Sequence, residues 1–122
     1  MEGVGVDIIE IGRIRKSIQS PRFLRRVFSE EEIAEYERRG GRPEILAADF
    51  CAKEAFSKAV GTGFRGFAVN DVALIRTPEG APVLRFSGAA GELVQSRGIS
   101  CLVSVSHSRE YAVAVVTSKE KK

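Results

Sequence analysis

Two apolar runs near the end of the chain, SCLVSVS at 100–106 and YAVAVVT at 111–117, are separated by only four residues, His107-Ser108-Arg109-Glu110. Both are rich in β-branched residues and read as strands. A parallel crossover needs a dozen residues or more, so this short link commits the pair to an antiparallel hairpin. A further β-branched run, GVGVDII at 3–9, predicts a buried strand.

Helical signals fill the interval between these strands. Residues 11–20 and 22–28 predict two short helices broken at Pro21. Ser29 followed by Glu32 forms a capping box, so a helix starts at Glu30 and runs to about Arg39, ended by Gly40-Gly41. Pro43 suits the first turn of a longer helix through about Val60. Ile45, Leu46, Ala48, Ala52, Ala55, Phe56 and Ala59 recur along it at helical spacing, and Gly61-Thr62-Gly63 closes it.

Two more strands, 69–76 and 82–86, are joined by a turn at Pro78-Glu79-Gly80. Ser87 is placed to cap a helix AAGELVQSR that Gly98 stops, and the tail SKEKK is expected to fray. Strand, helices, two strands, helix, two strands describes an α+β fold, an antiparallel sheet packed with helices. At 122 residues a single domain, 1–122, is expected.

Hydrophobic residues make up 43% and charged residues 29%, which supports a packed core and argues against disorder. A net charge of +3 is too mild to predict nucleic-acid binding by itself. No apolar run reaches membrane-spanning length, and the acidic N-terminus does not resemble a signal peptide, so a cytoplasmic protein is expected. Cys51 and Cys101 come without a CxxC pair or a histidine cluster, and are expected to be two buried thiols.

Five places could carry chemistry. Period two puts Val4, Val6 and Ile8 on one face of the first strand and Gly5, Asp7 and Ile9 on the other. A carboxylate there is costly unless hydrogen-bonded, paired or metal-bound, so Asp7 either caps the following turn or serves a metal or catalytic site. Glu54 and Lys58 lie four apart, acid before base, on a helix face flanked by Phe50, Ala52, Ala55 and Phe56. They form a surface ion pair or the rim of a pocket.

Gly61-Thr62-Gly63 is either a helix stop or a loop whose backbone N–H groups approach an anion. His107, the only histidine, ends a strand between Ser106 and Ser108; it is a structural hydrogen-bonder or a donor to phosphate or a purine edge. Finally, residues 11–29 hold Arg13, Arg15, Lys16, Arg22, Arg25 and Arg26 with no acid among them, and five glutamates follow at 30–37. That pattern is either two solvated faces or an arginine-rich surface for an acidic partner.

GVD at 5–7, together with FCAKEAFSK at 50–58 and AVGTG at 59–63, closely resembles the signatures of the small bacterial 4′-phosphopantetheinyl transferases of holo-acyl-carrier-protein synthase type. FLRRVFSEEE at 23–32 and VSVSHSREYAVA at 103–114 also fall where that family has comparable segments. The resemblance implies transfer of the phosphopantetheine arm of coenzyme A to a serine of apo-acyl carrier protein, for fatty acid biosynthesis, releasing adenosine 3′,5′-bisphosphate. It implies Mg²⁺, with Mn²⁺ an acceptable substitute, held by Asp7 and Glu54. Lys58 would meet the pyrophosphate, and Glu54, directly or through a metal-bound water, would accept the serine proton. Coenzyme A would also touch Gly61, Thr62, Gly63, His107 and Ser108. Arg13, Arg22 and Arg26 would dock the acidic carrier. A homotrimer with sites between subunits is implied as well.

The motif's other lysine, Lys53, has a less defined role. One departure stands out: relatives commonly carry arginine just before the motif aromatic, where this chain has Asp49. An acid there would repel a polyphosphate unless it points away or pairs with Arg42 or Arg65. Two rival readings remain: a basic α+β RNA-binding module, for which no aromatic platform is present, and another Mg²⁺-dependent phosphate-handling enzyme.

Overall fold

The computed structural model describes residues 2–121. The hairpin is formed as its short link requires. β4 (Ile99–His107) and β5 (Tyr111–Glu120) pair antiparallel, and β1 (Glu2–Glu10) pairs antiparallel with the other edge of β5, giving the order β1-β5-β4. A second, two-stranded sheet joins β2 (Val72–Arg76) to β3 (Pro82–Phe86). The expected α+β architecture is therefore present, with the antiparallel strands divided between two sheets.

The helices begin and end largely at local signals. α1 (Ile11–Ser17) turns Ile11 and Ile14 inward and leaves Arg13 exposed. Pro21 starts α2 (Pro21–Val27) rather than merely breaking a helix: its missing N–H costs nothing at the first position, and the Ser20 hydroxyl accepts from Phe23 N at 3.2 Å. The capping box at Ser29 and Glu32 opens α3 (Glu30–Arg38) with both reciprocal bonds present. α4 (Pro43–Val60) is the central helix; all seven predicted apolar positions are buried. α4 packs on β1 and β5, and α1 and α3 lie against it.

Four expectations needed correction. Residues 69–71 form a 3-10 turn rather than the start of β2, because Asp71 folds back to accept from Ala68 N at 3.1 Å. Ser87 stands at the N-cap of α5 (Gly88–Arg97) but its side chain caps nothing. The Asp71 carboxylate lies there instead, 3.5 Å from Ala90 N. The tail does not fray as far as Glu120: β5 continues, with Ser118 opposite Gly3 and Cys101, the Ser118 hydroxyl donating to Ala59 O at 3.0 Å, and Arg97 gripping Glu120 through two 2.8 Å bonds. Lys122 lies outside the described residues. β1 is also not buried on both faces, since Val4, Val6 and Ile8 are 67%, 57% and 64% exposed. Among the described residues no helix is long and apolar enough to cross a membrane.

Both cysteines are free thiols. Cys51 is buried in the seam between α4 and the sheet, and Cys101 is half-buried. Burial pushes their thiols up to about 12 and about 11, and for Cys51 the nearby Asp7 adds to the effect.

Candidate active site

The site is built where α4 crosses β1. A Cβ on Gly3 would stand 1.9 Å from the Ala59 carbonyl oxygen, and one on Gly5 would stand 2.0 Å from that of Ala55. Helix and strand backbones are thus in direct contact, which only glycine permits. The strand's alternation then brings Asp7, two residues beyond Gly5, onto the helix-facing side. Glu54 and Lys58, one turn apart on α4, face the same seam.

Lys58 does not pair with Glu54 as its spacing suggests. Its ammonium donates to Asp7 Oδ1 at 3.2 Å and to the Val6 carbonyl at 3.0 Å, linking helix to strand. The contact crosses 51 positions of sequence, so helical spacing alone could not reveal it. Glu54 has no ion-pair partner within 4.0 Å among the described residues. Burial pushes its carboxyl above the usual range, Asp7 nearby raises it further, and Lys58 partly offsets both. Two carboxylates sharing one seam form a hard-oxygen donor pair that a divalent cation would relieve of mutual repulsion. Among the described residues no cluster of three or more His, Cys, Asp or Glu side chains is grouped to hold a metal. The pair therefore suits a hydrated ion such as Mg²⁺, which leaves coordination positions to water and phosphate rather than to a protein cage.

The glycine loop serves first as a helix stop. Gly61 adopts a left-handed φ of 82°. Its N–H goes to Lys58 O at 3.1 Å, and that of Gly63 goes to Ser57 O at 3.1 Å. The Thr62 hydroxyl donates to Gly63 O at 2.7 Å. An anion nest made from the Gly61 and Gly63 amides is thus corrected, because both donors already close α4. What the glycines leave is open space: among the described residues nothing lies within 4 Å of a Cβ built on either.

His107 and Ser108 stand at the exposed end of β4, lining a hollow of about 370 Å³ with Ile8, Ser106, Tyr111 and Val113. Asp7 pairs with Ala114, and Ala114 with Val105, so His107 lies two strands over and two residues on. That is roughly 10 Å across the sheet within one chain. Arg22 and Arg26 line a larger hollow of about 1050 Å³, together with Phe23, Arg25, Phe64 and Phe67. Arg13 projects from α1, the preceding helix.

Lys53, beside Glu54 in sequence, faces the other way. It is fully buried, donating to Glu32 Oε1 at 2.6 Å and to the Val72 carbonyl, with its ammonium 5.6 Å from the Phe28 ring centre. Glu32 also accepts from Ser29 N at 2.9 Å and Leu74 N at 3.0 Å. One ion pair thereby joins α3, α4 and β2, on a different face of the helix from Glu54. Asp49 lies in this same buried region, 1% exposed, and pairs with neither Arg42 nor Arg65. An acid at that position points away from the glycine loop and does not confront a ligand there.

Comparison with known proteins identifies the family to which the fold belongs. Residues 3–116 match the family model described as the 4′-phosphopantetheinyl transferase superfamily. A holo-[acyl-carrier-protein] synthase of Clostridium beijerinckii is 42% identical over 113 residues, covering 92% of each chain. The crystal structure of a holo-(acyl-carrier-protein) synthase from Bacillus anthracis, in complex with CoA (3′,5′-ADP), superimposes with a TM-score of 0.81 at 35% identity, over 98% of this chain and 96% of that one. The Helicobacter pylori enzyme in complex with coenzyme A gives 0.83 at 31% identity, over 95% and 99%. The chain belongs to the 4′-phosphopantetheinyl transferase superfamily. Within it, the match is to enzymes of the holo-[acyl-carrier-protein] synthase type.

Proposed function

We propose that the protein transfers the 4′-phosphopantetheine arm of coenzyme A to a serine of apo-acyl carrier protein in the cytoplasm, in support of fatty acid biosynthesis. The observation that carries this reading is the convergence of Asp7, Glu54 and Lys58 at the seam of β1 and α4. The serine hydroxyl attacks the phosphorus that bears the pantetheine arm. The bond to the neighbouring phosphate breaks, and adenosine 3′,5′-bisphosphate leaves.

Glu54 accepts the serine proton. A carboxyl raised above its ordinary range is, once ionised, a better base than an ordinary glutamate, and the nearby Lys58 partly offsets the rise. Lys58, whose side chain is exposed at the site, binds a pyrophosphate oxygen. Asp7 and Glu54 would hold Mg²⁺, or Mn²⁺ in its place. The ion supplies charge neutralisation for the transferred and leaving phosphates. The open face of Gly61 to Gly63 lets the pyrophosphate lie close to backbone, and His107 and Ser108 meet the nucleotide end. Arg13, Arg22 and Arg26 attract the acidic carrier.

A homotrimer with sites shared between subunits fits two features. Val4, Val6, Ile8 and Leu102, the last 77% exposed, form an apolar outer sheet face of a kind rarely left to water. His107 also stands well across the sheet from Asp7 in one chain, so a neighbouring copy can bring the two sets together.

The decisive assay incubates the protein with coenzyme A, Mg²⁺ and apo-acyl carrier protein and follows the carrier by mass spectrometry. A mass gain of one phosphopantetheine arm is expected, and Glu54→Gln should abolish it. No gain with several carriers, or near-normal turnover by Glu54→Gln, would overturn the reading.

A further inference from the structure

The buried junction of α3, α4 and β2 holds more charge than its pairing uses. Asp49 is 1% exposed, yet among the described residues neither carboxylate oxygen has a hydrogen-bond partner, and the nearby Arg76 Nη1 is also buried without one. Lys53, which lies four residues after Asp49, is the intrahelical partner that spacing would assign to it. The ammonium goes instead to Glu32 and the Val72 carbonyl. Two carboxylates thus share this buried site with Lys53 and Arg76, and the lysine is held by the acid on the other helix rather than by Asp49.

An ionised carboxylate without hydrogen bonds is among the costliest groups to bury, whereas a neutral carboxylic acid is far cheaper. Among the described residues, the charged groups that bear on Asp49 are Glu32 and Glu35 from α3, Lys53 from its own helix and Arg76 from β2. Burial is the largest influence and Glu32 the next, both favouring the neutral acid; Lys53 and Arg76 oppose them. The net direction is a carboxyl well above its ordinary range.

We infer that Asp49 is kept as a neutral carboxylic acid so that Lys53 stays with Glu32, and that its ionisation draws Lys53 to Asp49 and uncouples α3 from α4. The junction is then a pH-sensitive latch on the helix that carries Glu54 and Lys58. It explains how this chain accommodates an acid beside the motif aromatic. It also stands apart from the transfer reaction, since it concerns protonation and packing rather than metal or substrate.

The sign follows from linkage. The unfolded carboxyl ionises near pH 4, so below about that pH both states are protonated and Asp49 contributes nothing. As pH rises toward the folded-state value, the unfolded chain ionises while the folded one does not, and stability falls. Asp49→Asn cannot ionise, so its melting temperature relative to wild type should rise as the pH is raised above about 4.

Carboxyl carbon NMR should find Asp49 titrating well above the ordinary carboxylate range in wild type and at lower pH in Glu32→Gln, where the neighbouring acid has lost its charge. Protection of α3 amides, with the intrinsic base catalysis of exchange divided out, should fall above the wild-type transition and not in Asp49→Asn. Titration of Asp49 at or below about pH 4, or parallel melting profiles for wild type and Asp49→Asn, would overturn neutral burial. An Asp49 titration unmoved by Glu32→Gln, or α3 exchange indifferent to Asp49, would overturn the latch.

Discussion

The contact between β1 and α4 offers the sharpest test of how this fold builds its site, through Gly5→Ala. The added methyl would stand 2.0 Å from Ala55 O, 2.7 Å from Ala59 N and 2.9 Å from Lys58 Cβ, where ordinary contact begins at 3.4 Å. Two of these neighbours are helix backbone and cannot swing aside, so the strand must retreat by more than an ångström. Over-packing a core costs about 1–3 kcal/mol, and a backbone obstacle puts this case at the upper end, about 3 kcal/mol. In a domain of this size that lowers the melting temperature by roughly 12 °C, still leaving a folded protein when cool.

The retreat also carries Asp7 away from Glu54 and Lys58. A misplacement of about 1 Å can cost roughly 100-fold in rate. Thermal unfolding by circular dichroism and transfer kinetics on the chilled, folded variant measure the two effects separately. Gly12→Ala is the control: among the described residues nothing lies within 4 Å of its Cβ, and in a helix it should stabilise by about 0.5–1 kcal/mol. A Gly5→Ala protein melting within about 2 °C of wild type would refute the close-contact account of the site.

Lys53→Met should cost about 3–5 kcal/mol in urea unfolding by stranding the Glu32 charge in the core, and adding Glu32→Gln should recover part of the loss. If Lys53 instead serves the substrate, stability will hold while turnover falls. The raised Glu54 carboxyl means that the fraction able to act as base declines on the acid side sooner than for an ordinary glutamate. By NMR titration, Asp7→Asn should move Glu54 down and Lys58→Met should move it up, because the first removes a like charge and the second a compensating one. Val6→Lys places a charge in the exposed apolar sheet face and should reduce the mass found by sedimentation from that of an assembly to that of a single chain; an unchanged mass would remove that face from any interface.

Much of the framework was legible because its causes are local. A four-residue link leaves a hairpin no alternative, Ser29 and Glu32 cap each other three residues apart, and Pro43 and Gly61 bracket α4 by their backbone preferences alone. The motif residues Asp7, Glu54 and Lys58 could be nominated by type and spacing. Their partners could not. Asp71 rather than Ser87 meets the start of α5, Ser118 is held by Ala59, and Lys58 bonds to Asp7 rather than to Glu54, each across a long stretch of chain.

By itself, then, the sequence determined the elements, their order and the chemical types available to a site, since dihedral preference and side-chain periodicity act within a few residues. The tertiary structure decided which face each element buried and which charges met. Gly3 and Gly5 have no special meaning until a helix carbonyl lies against them. Lys53 and Lys58 are two similar cations on one helix until packing turns one into the core with Glu32 and leaves the other at the seam with Asp7. That division follows from the helix's rotation, which the summed burial of α4 against two sheets and two helices sets and no short stretch of chain encodes.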